Sequence, residues 1–102
     1  MPRSMAPAEL IHQLYEMCGH TVNTIGSAVP RRLALALDEY RGRSELLDER
    51  MARFDAARQA LEGRRMRGYL GRAEWEELVA SAPPVALALR PLVPASASRV
   101  DA

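Results

Sequence analysis

Cys18 and its neighbours are the first residues whose types could do chemistry. A thiol flanked by His12, Glu16 and His20 could act as a nucleophile or hold a soft metal. The spacing favours neither. On a helix His12 and Glu16 share a face, whereas Cys18 and His20 stand two residues apart and point to different sides. There is no C-x-x-C and no second histidine pair, so the cluster reads as a core cysteine with surface histidines. The second candidate is Arg64-Arg65-Met66-Arg67-Gly68-Tyr69. It combines forked cations, a flexible backbone and an aromatic ring, the parts of a loop that contacts phosphate and stacks on a base. A solvated inter-helix loop is the plain alternative. Arg31 and Arg32 oppose the dipole of the helix they would start, which adds them to Arg64, Arg65 and Arg67 as candidates for an anionic partner. Carboxylates appear only on helix faces, and no dinucleotide or P-loop pattern is present. The expectation is a non-enzymatic chain with no cofactor, no metal and no small-molecule substrate.

The elements that position these residues are helices, and the chain reads as all-α. Pro7 suits a first helical turn, with Glu9 near the positive end of the dipole. Ile11, Leu14, Cys18, Val22, Ile25 and Val29 then recur at steps of three and four. A first helix is expected over 7–28, weakened beyond Gly19 by glycine and β-branched residues, so that 20–29 could instead be extended. Pro30 closes it and opens the next helix. That helix, expected over 31–62, dominates the pattern: Leu33, Leu37, Tyr40, Ser44, Leu47, Met51, Phe54, Arg58 and Leu61 alternate steps of four and three. Gly42 is its one weak point, where Ser44 could cap a separate helix. Gly63 reads as its stop, 63–71 as a loop, and 72–81 as a third helix ended by Pro83-Pro84. The domain is placed at 1–82, followed by an extended, flexible or partner-bound tail over 83–102.

The long helix carries the expectation about partners. Its seam, with Leu33, Leu37, Tyr40, Leu47, Met51, Phe54 and Leu61, forms either a coiled-coil interface or one side of a small helical hairpin or three-helix bundle. Arg43, Arg50 and Arg64 fall at heptad position g, and Asp48, Asp55 and Glu62 at e, with Arg41, also at e, as the exception. In a parallel homodimer these would pair across the seam, whereas an antiparallel one would oppose like charges. Parallel pairing is therefore favoured if two copies meet. Ser44 and Arg58 interrupt the seam, and Leu35 and Leu46 lie off it, which reads as burial on more than one side. Three short helices bury little area, so a protein partner or a homo-oligomer is expected.

Bulk properties narrow the classes. The chain has 102 residues, enough for one domain, and a net charge of +1. The charge is uneven: residues 31–72 are mildly basic and 73–102 mildly acidic. All 14 basic residues are arginine, which fits either a GC-rich genome or selection for forked contacts. No apolar run approaches the roughly 18–20 residues of a membrane span, and the first six residues lack an apolar signal core. A cytoplasmic protein without membrane contact is expected, and a single cysteine excludes an internal disulfide.

Val29-Pro30, Leu33, Leu37-Asp38 and Ser44-Glu45-Leu46 resemble the ribbon-helix-helix DNA-binding proteins. The resemblance implies a short strand that reads DNA followed by two helices. Here the loop from Asp38 to Ser44 is shorter than in that family, and the strand would present Thr24, Gly26 and Ala28. Gly19, Asn23, Ile25 and Ala28 are also placed like a core motif of plasmid mobilisation accessory proteins, with His20, Thr21 and Thr24 where that motif has amides. Both resemblances imply DNA as a partner. Three functions are thus carried forward: a helical interaction module or adaptor subunit of a larger assembly, a nucleic-acid-binding accessory protein, and a small phage- or plasmid-encoded inhibitor of a host complex.

Overall fold

The computed structural model describes residues 5–21 and 28–93. Among them the protein is all-α, with four helices and no strand. Helix α1 spans Pro7–Met17, α2 Ala28–Leu37, α3 Glu45–Met66 and α4 Arg72–Leu89, with 3₁₀ turns at Asp38–Tyr40 and Arg90–Leu92. Pro7 and Glu9 start α1 as the sequence implies, and Leu10, Leu14 and Met17 form its buried stripe. The segment from 22 to 27 lies outside the described residues, and with it most of the strand that the ribbon-helix-helix resemblance implies. Its last reading position, Ala28, begins α2.

The expected helix over 31–62 is two helices. After the 3₁₀ turn, Gly42 adopts φ 85°, a left-handed conformation that other residues rarely take. Its N–H donates to Asp48 Oδ1 at 3.0 Å, and Ser44 Oγ accepts from the Leu47 N–H at 3.2 Å as the N-cap of α3. The break therefore sits where the seam meets Ser44: that serine caps rather than packs. At the other end α3 runs through Gly63 to Met66.

Helix α4 is the centre of the molecule. It forms an antiparallel hairpin with α3 and also packs against α1, while α2 covers α1 and the near part of α3. Eight of its 18 residues are buried: Trp75, Leu78, Ser81, Ala82, Val85, Ala86, Ala88 and Leu89. Small residues let its neighbours approach closely on several sides. The expected stop at Pro83-Pro84 does not occur, and the expected extended tail begins as helix. An interior proline costs about 3 kcal/mol, chiefly through a lost N–H and a displaced carbonyl. Two features offset that here. Val79 O, which Pro83 deprives of its donor, lies 3.6 Å from Cys18 Sγ, whose single proton is shared with Leu14 O at 3.4 Å. Beyond the prolines, full burial of Val85 and Leu89 contributes about 1.5–3 kcal/mol each. The half-buried Cys18 is thus a donor that joins α1 to α4, and burial pushes its thiol pKa up, away from nucleophilic reactivity.

The seam residues face this chain's own core. Leu33, Leu37, Tyr40, Leu47, Met51, Phe54 and Leu61 are 0–7 % exposed, covered by α4 and α1. They are core, not a free partner interface. The flanking charges are also used within the chain: Asp48 caps Gly42, Asp55 accepts from Arg41 at 2.8 Å, Arg50 donates to Pro84 O at 3.0 Å, and Arg43 lies over the Tyr40 ring. The pairs that favoured parallel dimerisation are therefore spent. Leu35 and Leu46 are exposed rather than buried on a second side.

Cross-helix ion pairs lace the hairpin, with Arg53 Nε 2.7 Å from Glu77 and Arg64 Nε 3.1 Å from Glu74. The Arg53 guanidinium holds the Glu77 carboxyl below its usual range. Glu74 is lowered first by its own backbone N–H and then by Arg64, and Glu62 by Arg31. Carboxylates depressed in the fold stabilise it above their unfolded pKa, and that contribution disappears as pH falls through the folded values. Thermal unfolding followed across pH should therefore show a flat midpoint from neutrality to about pH 5 and a decline below about pH 4, shallower in about 1 M salt.

The joint between α1 and α4 gives a second expectation. Cys18→Val keeps an apolar side chain but leaves Val79 O without its donor, and should cost about 1–2 kcal/mol in chemical denaturation. Cys18→Ser, which keeps a donor, should cost less.

Candidate interaction surface at the α3–α4 turn

The Arg64–Tyr69 stretch closes α3 with a Schellman arrangement. Gly68, at φ 89°, donates its N–H to Arg65 O at 3.0 Å, and Tyr69 N–H reaches back to Arg64 O at 3.0 Å. In such a cap the residue after the glycine usually packs on the first residue of the pattern. Here that pair is Tyr69 and Arg64, with the guanidinium carbon 5.2 Å from the ring centroid. Arg65 Nε donates to Leu70 O at 3.3 Å. Gly71, at φ 79°, starts α4, and its carbonyl accepts from Trp75 N–H at 2.8 Å.

This framework presents apolar groups to solvent. Met66 is 84 % exposed, Tyr69 59 % and Leu70 46 %. Arg67 lies between Met66 and Tyr69 in sequence and Arg72 follows Leu70 and Gly71, both arginines exposed and both without an ion pair among the described residues. Arg72 sits in the first turn of α4, where the dipole disfavours a cation. The turn therefore offers an apolar, aromatic-centred tip with two available guanidinium groups.

Of the five arginines singled out in the sequence, only Arg64, Arg65 and Arg67 meet here. Arg64 and Arg65 build the turn, which leaves Arg67 as the outward one. Arg31 and Arg32 belong to α2, where Arg31 pairs with Glu62 of α3 and Arg32 is exposed. Sequence reasoning missed Arg72 and Leu70, and gave Met66, within its candidate stretch, no role of its own. The available signal was the presence of large apolar residues within a glycine-marked turn, with arginine directly after the last glycine. The Cys18 cluster does not assemble: His12 lies 3.8 Å from Glu16, His20 is exposed, and Cys18 faces Val79. Among the described residues no group of three or more His, Cys, Asp or Glu could hold a metal ion, and no helix is long and apolar enough to cross a membrane.

Gly71 and Gly63 separate the turn's needs from helix propensity. A Cβ on Gly71 would stand 2.6 Å from Leu61 Cδ1, a buried atom, on a backbone already at positive φ. Gly71→Ala should destabilise by about 1–2 kcal/mol or more. Gly63 is helical with open space around it, so Gly63→Ala should stabilise by up to about 1 kcal/mol. Denaturant midpoints of the two variants should move in opposite directions.

The chain matches no known protein-family pattern, no curated protein and no solved structure.

Proposed function

We propose that the protein is a non-enzymatic helical binding module, an adaptor or small subunit working in the cytoplasm, that engages a protein partner through the α3–α4 turn. The observation that carries this reading is the exposure of Met66, Tyr69 and Leu70 together on a hydrogen-bonded turn. Met, Tyr and Arg are enriched at protein–protein interfaces, and a rigid tip loses little entropy on docking. The seam is consumed in the core, which shifts the partner-facing role to this tip. Arg67 and Arg72 favour a partner whose surface is apolar at the centre and acidic at the rim. Inhibition of a host complex would use the same tip, with the partner's identity deciding between the two roles.

Nucleic acid is the second reading, favoured by the unpaired Arg67 and Arg72 on either side of an exposed aromatic. The partition of the expected long helix at Ser44 also agrees with the two-helix part of the ribbon-helix-helix resemblance.

A photo-crosslinking residue at Tyr69, compared with one at the exposed Ala60, tests both in the producing cell. The interaction reading requires a discrete protein adduct from position 69, absent from position 60 and lost in Arg67→Glu. A nuclease-sensitive adduct would transfer the function to nucleic acid, and no adduct at all would count against the turn. Met66→Ser and Tyr69→Ser should change stability by no more than about 0.5 kcal/mol, as exposed substitutions do. The same changes should weaken the captured complex by roughly tenfold or more.

A further inference from the structure

A second feature is independent of the turn. Between α2 and α3 lies a cleft of about 260 Å³ whose lining includes Arg31, Asp38, Arg41, Asp55, Arg58 and Gln59. We propose that this cleft binds a small oxyanion, a phosphate or carboxylate group, at its Arg31–Arg58 end.

Charge is divided unequally along the cleft. At one end a single guanidinium, Arg41, lies 2.8 Å from both Asp38 and Asp55. At the other end two guanidinium groups, Arg31 and Arg58, share one carboxylate, that of Glu62. Glu62 Oε2 is engaged by Arg31, which leaves Arg58 Nη1 with Oε1 at 3.4 Å, a long contact for a charged pair. Arg58 Nε is buried and has no hydrogen-bond partner. An orphaned buried donor on a charged group carries an uncompensated desolvation cost that an acceptor would relieve. The side chain is only 18 % exposed, at a position where the helix stripe calls for an apolar residue. A polar cleft beside an under-partnered guanidinium suits an external acceptor that can use its fork. The excess of carboxylates at the Asp38–Asp55 end repels a second anionic group, so the ligand carries its charge at one end. A rotation of Arg58 that brings Nε–H to the cleft would complete a bidentate contact, with Arg31 as the second cation.

Amide chemical shifts followed while inorganic phosphate, and separately acetate, is added to the whole chain test this, against sodium chloride at equal ionic strength. The expected result is saturable change confined to residues near 31–38 and 55–62, with either anion or both. Arg58→Leu should weaken binding by roughly tenfold or more, while Arg58→Lys, which keeps charge but loses the fork, should fall between. Circular dichroism controls for folding, and Arg58→Lys decides the matter if Arg58→Leu does not fold. Shifts that grow linearly, that spread equally to Arg67 and Arg72, or that persist unchanged in the folded Arg58 variants would overturn the proposal.

Discussion

A helix with two adjacent prolines at its middle loses two backbone donors, and α4 is built around that loss. It continues because its far half is apolar on several sides and because Cys18 lies within reach of the Val79 carbonyl. Everything else leans on this continuation. The end of α4 supplies Val85, Ala86, Ala88 and Leu89 to the core, and through them α1 and the start of α3 find a surface to cover. Arg50 adds a bond to Pro84 O from the opposite side. A chain of this size has little core to spare, so a helix that ended at Ser81 would leave α1 without most of its support.

Once α4 fills the centre, the 3.5-residue seam has its partner within the molecule. A period of that kind specifies only that one face is apolar; it carries no information about which helix will cover it. The two positions that spoil the seam have separate explanations. Ser44 accepts a backbone N–H at the start of α3, and Arg58 borders the polar cleft where α2 and α3 diverge. The arginines on the flanks close ion pairs, cap carbonyls or lie over rings in the same chain. Among the described residues, Arg32, Arg67, Arg72 and Arg90 remain outward without an ion pair, two of them at the turn, and Arg58 is under-partnered in the cleft. Charge availability, rather than charge number, thus distinguishes the candidate sites. Exposed pairs such as Arg53–Glu77 add little net stability but do withdraw their arginines from other uses.

The turn and the cleft differ in physical character. The turn is convex, apolar and fixed by backbone hydrogen bonds, which suits contact with a large surface. The cleft is concave and polar, with charge of opposite sign favoured at its two ends. The Cys18 thiol lies apart from both, as a donor between α1 and α4.

Local chemistry was legible in the sequence wherever backbone geometry depends on residue type alone. Pro7 starting α1, Ser44 as a cap, Gly42 as the weak point and the apolar identity of the seam all follow from such rules, as does the all-α class. Gly63 misled because an exposed glycine lowers helix propensity by only about 1 kcal/mol, less than continuing α3 gains from its packing. Pro83-Pro84 misled for the same kind of reason: the stop rule assumes that freed carbonyls stay unpaired, and the donor that meets one of them is 61 residues away in sequence. Which face covers the seam, which arginines are left unpaired and where a cleft opens are properties of contacts between distant segments. Only the tertiary structure decides those, because each depends on what a side chain meets across the core rather than on its neighbours along the chain.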